Sequence, residues 1–393
     1  MPARRLLAVG QGLIATGYAR VLDGILAGLA RDFDVTLFAV NHDGYDAERA
    51  GYRIRGSRLR RDVRGVAQLP GLLAELEPDV VLLHHDAALC AAHVPALAAY
   101  RPRRPSVRAV VYCPVDWPEP PPGVVTALQS VDLLVLYAEY GRRAMERAAA
   151  RAGVRLPPTA VVGHAVDADR FRPLVAGDPS ASRTAARERL FGGDDGIGRA
   201  FVVLNANRNT ARKRVDVTLR GFAQFAAARP DARLYLHMGD GDGGGCDIPR
   251  LSAELGIAER LIRTPYDGRR PTVGDDHLRL VYNACEVGIN TSAGEGFGLV
   301  AFEHAATGAA QLVPDHSGPA ELWGADAVRL SAVREPGGGG WSVTPPGVAT
   351  ALRRLHDDPV ARERLAARGH AHARSRRFSA PAVAAQWRRL LQD

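Results

Sequence analysis

The sequence of 393 residues lacks any apolar run approaching the roughly 20 residues that a helix needs to cross a bilayer. The apolar part of its N-terminus is interrupted by Gly10-Gln11-Gly12, which favours a first strand and a turn over a secretory signal. No CxxC spacing occurs among its four cysteines, so neither a metal site nor a disulfide framework is predicted. The four are Cys90, Cys113, Cys246 and Cys285. These absences predict a globular protein of the reducing cytoplasm.

Lysine is almost absent, because all but one of the 51 basic residues are arginine. The formal net charge is +8, and the chain is also rich in Ala, Gly and Pro, which favours a GC-rich coding bias over a nucleic-acid footprint. The arginine-rich stretches 53–64 and 101–108 lack the interleaved aromatic residues that stack on bases. We therefore predict solvated surface there, with weak contact to an anionic membrane or acceptor as the alternative and no nucleic-acid partner.

Short apolar runs alternate with helical patterns along the whole chain, which is the βαβ signature of parallel sheets. A polar stretch, 175–198, separates two such series and favours two domains, as does the length. Two doubly wound α/β domains in series predict a ligand in the cleft between them. The predicted strands are 6–9, 35–40, 80–83, 107–112, 133–137 and 159–162, then 201–205, 234–238, 261–264, 287–290 and 310–313.

The loop after the first predicted strand lies where open α/β sheets bind ligands, outside the carboxyl ends of the strands. It contains Gly12 and Gly17 but does not follow the GxGxxG pattern of dinucleotide-binding proteins. Its glycines fit two roles equally: they allow a tight turn, or they allow the backbone to approach a phosphate.

The stretch 290–321 combines a glycine-rich turn with a helix, predicted over 299–307 and ended by Gly308 in a left-handed conformation. Such a turn presents free N–H groups at the positive end of the helix dipole, which suits a phosphate or another anion. Two acids flank it, Glu295 in the loop and Glu303 in the helix. An anion would not recruit carboxylates, so we expect them to bind hydroxyl groups of the same ligand.

A second loop, 205–214, contains four cationic side chains after a predicted strand: Arg208, Arg212, Lys213 and Arg214. A single lysine retained among arginines indicates a need for a compact point charge, as at a phosphate. This predicts an anion clamp, with a solvated basic turn as the alternative. The later Asp240-Gly241-Asp242 lacks the downstream glutamate of a calcium loop, so it predicts a turn and no metal site.

The order of these motifs resembles that of the retaining GT-B glycosyltransferases of family 4. In order, they are Arg208-x4-Lys213, Gly239-Asp240-Gly241, a helix ending at Tyr282-Asn283-Ala284-Cys285-Glu286-Val287, and Glu295-Gly296-Phe297-Gly298-Leu299-x3-Glu303. The linker His164-Ala165-Val166-Asp167 and the terminal Phe378-Ser379 and Gln386-Trp387 match as well. The similarity is strong over 200–330 and looser over 1–160.

The resemblance implies the GT-B architecture, in which two Rossmann-like, doubly wound parallel-sheet domains face a central cleft. Residues 1–170, completed by the C-terminal helix 378–393, would bind the acceptor, and residues 171–377 would bind the sugar nucleotide.

The resemblance also assigns roles residue by residue. Arg208 and Lys213 would hold the diphosphate, Glu295 would engage hydroxyls of the donor sugar, and Glu303 would accept hydrogen bonds from the ribose. Tyr266 lies where the family places the base, and Gly12 and Gly17 would admit the phosphates and acceptor. Main-chain amides of the loop would lie near sugar and phosphate, from Gly296, Phe297, Gly298, Leu299 and Val300.

The sequence departs from the family at three places. The family's histidine after a first-domain strand is absent from 112–117, so Asp116 or His85 is expected to take its role. Gly308-Ala309-Ala310-Gln311 replaces the usual GxP, and Ser317-Gly318-Pro319 replaces a Gly-Gly turn.

The expected activity is metal-independent hexosyl transfer with retention, from a UDP- or GDP-sugar to a hydroxyl of a small molecule or glycan, without a permanently bound cofactor. A sugar-nucleotide epimerase, a phosphorylase or a non-catalytic sugar-nucleotide-binding protein are the alternatives on this architecture. A pyridoxal-phosphate phosphorylase needs a Schiff-base lysine, and the clamp explains Lys213 better.

Overall fold

The computed structural model describes residues 3–57, 62–192, 196–240, 244–266, 271, 273–336 and 340–392. The chain forms two compact units. Unit 1 contains Met1–Ala165 together with Arg376–Asp393, and unit 2 contains Val166–Ser375. The sequence alone puts the first boundary between residues 170 and 171 and begins the returning helix at 378.

Unit 1 is built on an eight-stranded sheet in the order β3-β4-β2-β1-β5-β6-β7-β8. All neighbouring strands are parallel except the edge pair β3 and β4. The strands are β1 (Arg4–Gln11), β2 (Phe33–Asp43), β3 (Ala47–Arg49), β4 (Tyr52–Ser57), β5 (Val80–His84), β6 (Arg108–Cys113), β7 (Leu133–Leu136) and β8 (Thr159–Val161).

The central strands of unit 1 form because their apolar runs are buried on both faces, as in parallel sheets covered by helices. Every residue of β5 and β7 is buried. The covering helices of the N-terminal stretch are α1 (Gly17–Leu29), α2 (Leu69–Leu76), α3 (Ala87–Tyr100), α4 (Pro122–Leu128) and α5 (Glu139–Ala152). Helix α1 begins at Thr16, whose hydroxyl accepts from the Ala19 N–H at 3.1 Å.

The C-terminal helix α14 (Ala380–Gln392) is part of unit 1 and packs against α1. Trp387 is fully buried, with its ring centroid 4.9 Å from that of Tyr112. Gly28 on α1 lies so close to Ala384 that an added Cβ would be 2.6 Å from the alanine Cβ. The helix therefore supplies core surface that the first 165 residues alone would leave exposed.

Unit 2 contains a six-stranded, fully parallel sheet in the order β11-β10-β9-β12-β13-β14 and a separate antiparallel pair, β15 with β16. The strands are β9 (Phe201–Asn205), β10 (Ala232–Leu236), β11 (Leu261–Arg263), β12 (Val287–Ile289), β13 (Ala310–Pro314), β14 (Val328–Leu330), β15 (Ala332–Arg334) and β16 (Trp341–Val343). Its helices are α6 (Pro179–Phe191), α7 (Val215–Ala226), α8 (Ile248–Glu254), α9 (Asp275–Asn283), α10 (Leu299–Ala306), α11 (Ser317–Trp323), α12 (Pro345–Asp357) and α13 (Pro359–Ala373).

In each sheet, the side on which successive strands are added switches once, and this switch point marks a crevice. In unit 1 the chain starts at β1, builds outward through β2, then returns to β5 on the other side. In unit 2 the same happens between β9 and β12. Ligands of open α/β sheets bind outside the carboxyl ends of the strands at such a switch point. The candidate loops of the sequence follow strands β1, β5, β9 and β12.

The α/β fold class, with two doubly wound sheets, is confirmed, whereas several short strands were missed. Strands β3, β4, β14, β15 and β16 were not predicted; four of them span only three residues, which is too short a run to show a periodic pattern. The glycine-rich turns predicted at 239–245 and 337–340 lie partly outside the described residues, which omit 241–243 and 337–339. Gly308 has a left-handed φ of 91° after α10, as predicted.

Several arginines of the predicted basic surface of unit 1 are paired with carboxylates. Arg53 lies 2.8 Å from Asp34, and Arg55 lies 3.0 Å from Glu75. Arg101 and Arg104 pair with Asp132 and Asp79. Contact with an anionic membrane therefore stays a prediction that these paired arginines do not support.

Two further properties concern membrane-spanning helices and the cysteines. Within the described part of the chain, no helix is both long enough and apolar enough to cross a membrane. All four cysteines are free thiols, and three of them are buried.

One buried ion pair joins helix and sheet in unit 2. Arg187 on α6 binds both carboxylate oxygens of Glu286, at 2.9 and 2.8 Å, and the Val202 N–H donates to the same carboxylate at 2.7 Å. Both side chains are at most 10% exposed. Glu286 immediately precedes β12, so this pair fixes the strand that carries the glycine-rich loop.

Replacing Arg187 with Met should destabilise unit 2 by about 3–5 kcal/mol, because it leaves the Glu286 carboxylate buried without its main partner. Arg183→Met is the matched control, since Arg183 lies 3.4 Å from the same carboxylate and its side chain is more exposed. Urea unfolding monitored by tryptophan fluorescence measures both. Equal midpoints for the two variants would contradict the account.

Candidate active site

Two loops meet at the switch point of unit 2, one after β9 and one after β12. The Ala293 N–H donates to the Arg212 carbonyl at 2.8 Å, and the Thr291 hydroxyl donates to the Arg214 carbonyl at 2.8 Å. Because neighbouring strands carry them, the predicted clamp loop and the predicted glycine-rich loop are joined through their main chains.

The side chains of Lys213 and Glu295 form a buried ion pair between these loops. Lys213 is 8% exposed, and its ammonium donates to a Glu295 carboxylate oxygen and, at 3.0 Å, to the Asn207 side-chain oxygen. The Arg212 guanidinium lies 3.9 Å from the other carboxylate oxygen. Burial alone would raise the pKa of Glu295, but the charges of Lys213 and Arg212 outweigh it and hold that pKa well below its usual range.

The remaining contacts of the Glu295 carboxylate come from its own loop. The Asn290 amide and the Ser292 hydroxyl both lie 3.4 Å from the oxygen that accepts from Lys213. Ser292 in turn donates to the Asn290 side-chain oxygen from its hydroxyl at 2.6 Å and from its N–H at 2.9 Å. Glu295 is therefore held by cations on one side and by a folded polar loop on the other.

The glycine-rich loop enters α10 through Gly298, whose φ of 87° lies in the left-handed region. The helix begins at Leu299, and both Leu299 and Val300 are partly exposed, whereas Gly296 is buried. Phe297 is turned inward and stacks on Phe302, with 4.8 Å between ring centroids. The loop therefore exposes the first turn of α10 and uses its aromatic residue for packing.

Glu303 lies on α10, and its surroundings differ from those of Glu295. It is 2% exposed and accepts a hydrogen bond from the Tyr282 hydroxyl at 3.1 Å. The two acids that the sequence placed in one motif thus have different surroundings, one ion-paired and one bound to a phenol.

Tyr266 connects the loops after β10 and β11. Its hydroxyl donates to the Asp240 carboxylate at 2.6 Å and accepts from the Asp240 N–H at 2.9 Å. Arg263 binds the same carboxylate at 2.6 Å, with its guanidinium 5.7 Å from the Tyr266 ring centroid. The next residues of that turn, 241–243, lie outside the described part.

The four cations of the predicted clamp differ in the groups that they contact. Lys213 and Arg212 face Glu295, whereas Arg214 turns away and pairs with Asp216 at 3.0 Å. Arg208 is exposed, and its side chain forms no ion pair or hydrogen bond with any described residue. The structure thus brings together two of the four cations and leaves Arg208 accessible to a ligand.

The two first-unit glycines have different surroundings. Gly12 is buried, and an added Cβ would be 2.7 Å from the Leu37 side chain, so packing explains it. Gly17 is exposed with nothing within 4 Å of an added Cβ, and it is the first residue of α1. A role for either glycine at a phosphate stays a prediction.

The switch point of unit 1 contains a polar cluster around His85. One ring nitrogen of His85 lies 2.9 Å from the Gln11 side-chain amide, and the other accepts from the Asp86 N–H at 2.8 Å. Tyr18 stacks on the imidazole at 4.8 Å and donates its hydroxyl to the Asp86 carboxylate. Asp116 follows β6, the neighbour of β5, and is half-buried. His85 thus lies inside a hydrogen-bonded cluster at the carboxyl edge of β1 and β5.

Sequence reasoning missed the uncharged members of both clusters. Asn207, Asn290 and Ser292 orient the ion pair of unit 2, and Gln11 and Tyr18 hold His85 in unit 1. All but Tyr18 lie within two residues of a predicted strand end, which was the available signal. Their residue types alone do not distinguish them from ordinary turn residues.

Comparison with known proteins agrees with this geometry, although no family model matches the chain. The chain is 34% identical over 233 residues to a D-inositol 3-phosphate glycosyltransferase of Streptomyces griseus, covering 55% of this chain and 45% of the relative. It is 31% identical over 314 residues to the enzyme of the same name from Streptomyces avermitilis, covering 74% of this chain and 61% of the relative. The chain thus spans less than two thirds of the length of either relative.

Solved structures match over almost the whole length. Sucrose-phosphate synthase from Thermosynechococcus elongatus has a TM-score of 0.74 at 17% identity and is matched over 99% of this chain and 98% of that one. HepE of Anabaena, in complex with UDP-glucose, has a TM-score of 0.72 at 16% identity over 99% of both chains. At these identities the likeness establishes the fold. The chain thus has the GT-B architecture that the resemblance predicted, and the sequence relatives to which it is similar are glycosyltransferases.

Proposed function

We propose that the protein transfers a hexose from a nucleoside-diphosphate sugar to a hydroxyl of a small-molecule or glycan acceptor, with retention and without a metal ion. The observation that carries this proposal is the buried contact between Lys213 and Glu295 at the switch point of unit 2. A compact cation suited to the diphosphate thus lies beside a carboxylate suited to sugar hydroxyls. The names of the relatives support the same chemistry.

The diphosphate would bind Lys213 and Arg208. Negative charge grows on the leaving nucleoside diphosphate as the glycosidic bond breaks, so preorganised cations stabilise the transition state more than the ground state. Lys213 is fixed by its contacts with Glu295 and Asn207, whereas Arg208 is exposed. We infer that Lys213 supplies the preorganised charge and that Arg208 closes onto the ligand. The amides at the start of α10 would add to both.

The two glutamates would divide the sugar from the ribose. Glu295 lies among Lys213, Asn290 and Ser292, a polar setting suited to the hydroxyls of a hexose beside the diphosphate. Glu303 lies further along α10 with Tyr282 as its partner, and it would accept from the ribose hydroxyls. Tyr266, on the loop after β11, would pack near the base.

The acceptor would bind unit 1 at the carboxyl edge of β1, β5 and β6. His85 and Asp116 follow two neighbouring strands there, and the Asp116 carboxylate offers hydrogen-bond acceptors for a hydroxyl. In the mechanism usual for this family, the leaving phosphate itself takes the acceptor proton, so neither residue needs to act as a nucleophile.

A donor and product screen tests the proposal directly. Incubation with UDP-, GDP- and ADP-sugars and a panel of polyol and glycoside acceptors, followed by mass spectrometry, should give an acceptor heavier by one hexose. The anomeric proton coupling in its NMR spectrum should match that of the donor. An epimerised nucleotide sugar would favour the epimerase alternative. Tight nucleotide binding without any product would favour the non-catalytic one.

Chelation provides a second test. Transfer should continue at an unchanged rate in EDTA, because cationic side chains and a helix N-terminus take the place of a metal at the diphosphate. The measurement is the initial rate before and after dialysis against EDTA. Loss of activity with recovery on adding Mg²⁺ or Mn²⁺ would contradict this part of the proposal.

A ribose test isolates Glu303. The wild-type protein should bind UDP more tightly than 2′,3′-dideoxy-UDP by roughly tenfold, because the ribose hydroxyls would donate to the Glu303 side chain. Glu303→Gln should lose most of that difference, measured by titration calorimetry. Tyr266→Phe is the matched control, expected to keep the difference. A Glu303→Gln protein that discriminates like the wild type would place the ribose elsewhere.

A further inference from the structure

Ser317 has a backbone conformation that non-glycine residues rarely adopt. Its φ is 51°, in the left-handed region, at the first residue of α11 directly after β13. The family resemblance places a Gly-Gly turn here, and only the second glycine is kept, as Gly318. A residue with a side chain is strained in this conformation, so its retention calls for a compensating contact.

The compensating contacts are made by the Ser317 hydroxyl. Its oxygen lies 3.2 Å from the main-chain nitrogen of Glu295 and 2.9 Å from Nδ1 of His316. The other imidazole nitrogen, Nε2, lies 2.9 Å from the Ser292 carbonyl oxygen. The side chains of His316 and Ser317 are both buried. One continuous chain of hydrogen bonds therefore runs from Ser292 to Glu295 through two residues of another loop.

The chemistry of the groups fixes the direction of every bond in this chain. A carbonyl oxygen only accepts, so His316 donates from Nε2 to Ser292. Burial lowers the pKa of His316 to about 4, which keeps the imidazole neutral, and Nδ1 then accepts from the Ser317 hydroxyl. The hydroxyl oxygen is left to accept from the Glu295 N–H. Each donor thus has one acceptor, and the relay closes without an unsatisfied group.

The main chain strengthens the same connection. The Gly318 N–H donates to the Glu295 carbonyl at 3.0 Å. A Cβ at Gly318 would lie 2.1 Å from the Gly296 carbonyl oxygen, so no side chain fits there. Glu295 is therefore bound at its N–H by Ser317 and at its carbonyl by Gly318, which fixes the peptide units on either side of its Cα.

We propose that His316 and Ser317 are positioning residues for Glu295, holding its backbone so that its carboxylate meets Lys213. This inference rests on the proposed function, because it concerns the residue expected to engage the donor sugar. It also gives a reason for the departure from the family's Gly-Gly turn. The serine is strained in this backbone conformation, but its hydroxyl orders the loop that contains Glu295.

Replacing Ser317 with Gly separates the two effects, since glycine relieves the strain but removes the hydroxyl. We expect a Tm within a few degrees of that of the wild type, because the relieved strain offsets the lost hydrogen bonds, together with retained UDP affinity and a transfer rate lower by about three- to tenfold, the range expected for one net hydrogen bond. Hydrogen exchange should become faster in peptides covering 290–298. Ala50→Gly is the matched control: Ala50 also has a left-handed φ, of 48°, is exposed and lies in unit 1. It should match Ser317→Gly in Tm and the wild type in transfer.

A second variant guards against an effect specific to glycine. His316→Phe keeps a ring to stack on Trp341, 5.4 Å away, but loses both hydrogen bonds. It should lower the transfer rate in the same range, and the double variant should be no slower than the worse single one, because both interrupt one relay. Additive losses would overturn the relay.

The outcomes also separate this inference from the proposed function. If the wild type transferred no sugar from any donor, the proposed function would fail, and hydrogen exchange alone would test the relay. Faster exchange over 290–298 in Ser317→Gly but not in Ala50→Gly supports it. Unchanged exchange, or wild-type transfer in Ser317→Gly, overturns it.

Discussion

The ion pair between Lys213 and Glu295 is the constraint on which the rest of unit 2 depends. A lysine that is 8% exposed is stable only with a counter-charge, and a carboxylate in the same place needs a cation for the same reason. Neither loop could keep its charge buried if the other moved. The pair therefore ties the loop after β9 to the loop after β12, and removing one partner would leave the other as an uncompensated buried charge.

The surrounding structure works to keep this pair in register. Arg187 and Glu286 fix the start of β12, Asn207 orients the ammonium, and the His316–Ser317 relay fixes the backbone of Glu295. These are polar contacts between elements far apart in the sequence. Such networks lose most of their value when one member is missing, because the others then remain buried and unsatisfied. The site is thus preorganised by contacts that no ligand needs to supply.

Much of this organisation was predictable from the sequence, and the reason is periodicity. Runs such as Val80–His84 and Phe201–Asn205 are buried on both faces, so their hydrophobicity marks them as central parallel strands. The loops after them were then expected at the carboxyl edge, where the structure has them. The pairing of Lys213 with Glu295 was not predictable, because both were assigned to the ligand and nothing in a sequence says which charges meet first. Arg214 was placed in the clamp for its charge, yet its left-handed φ of 48° turns it towards Asp216. In the sequence, Ser317 only replaces one glycine of the family's Gly-Gly turn. Its φ and its contacts in the structure reveal the connection to Glu295.

Titration calorimetry with UDP on three proteins tests the central claim, that Lys213 and Glu295 neutralise each other at the proposed diphosphate site. Lys213→Met should weaken UDP binding by at least about tenfold, because the buried cation is lost. Glu295→Gln should bind UDP as tightly as the wild type or more tightly, because the diphosphate becomes the counter-charge that Lys213 otherwise lacks. Opposite effects on affinity from two partners of one ion pair are expected only if the lysine alone meets the phosphates. Equal weakening in both variants, or no change in either, would contradict the account.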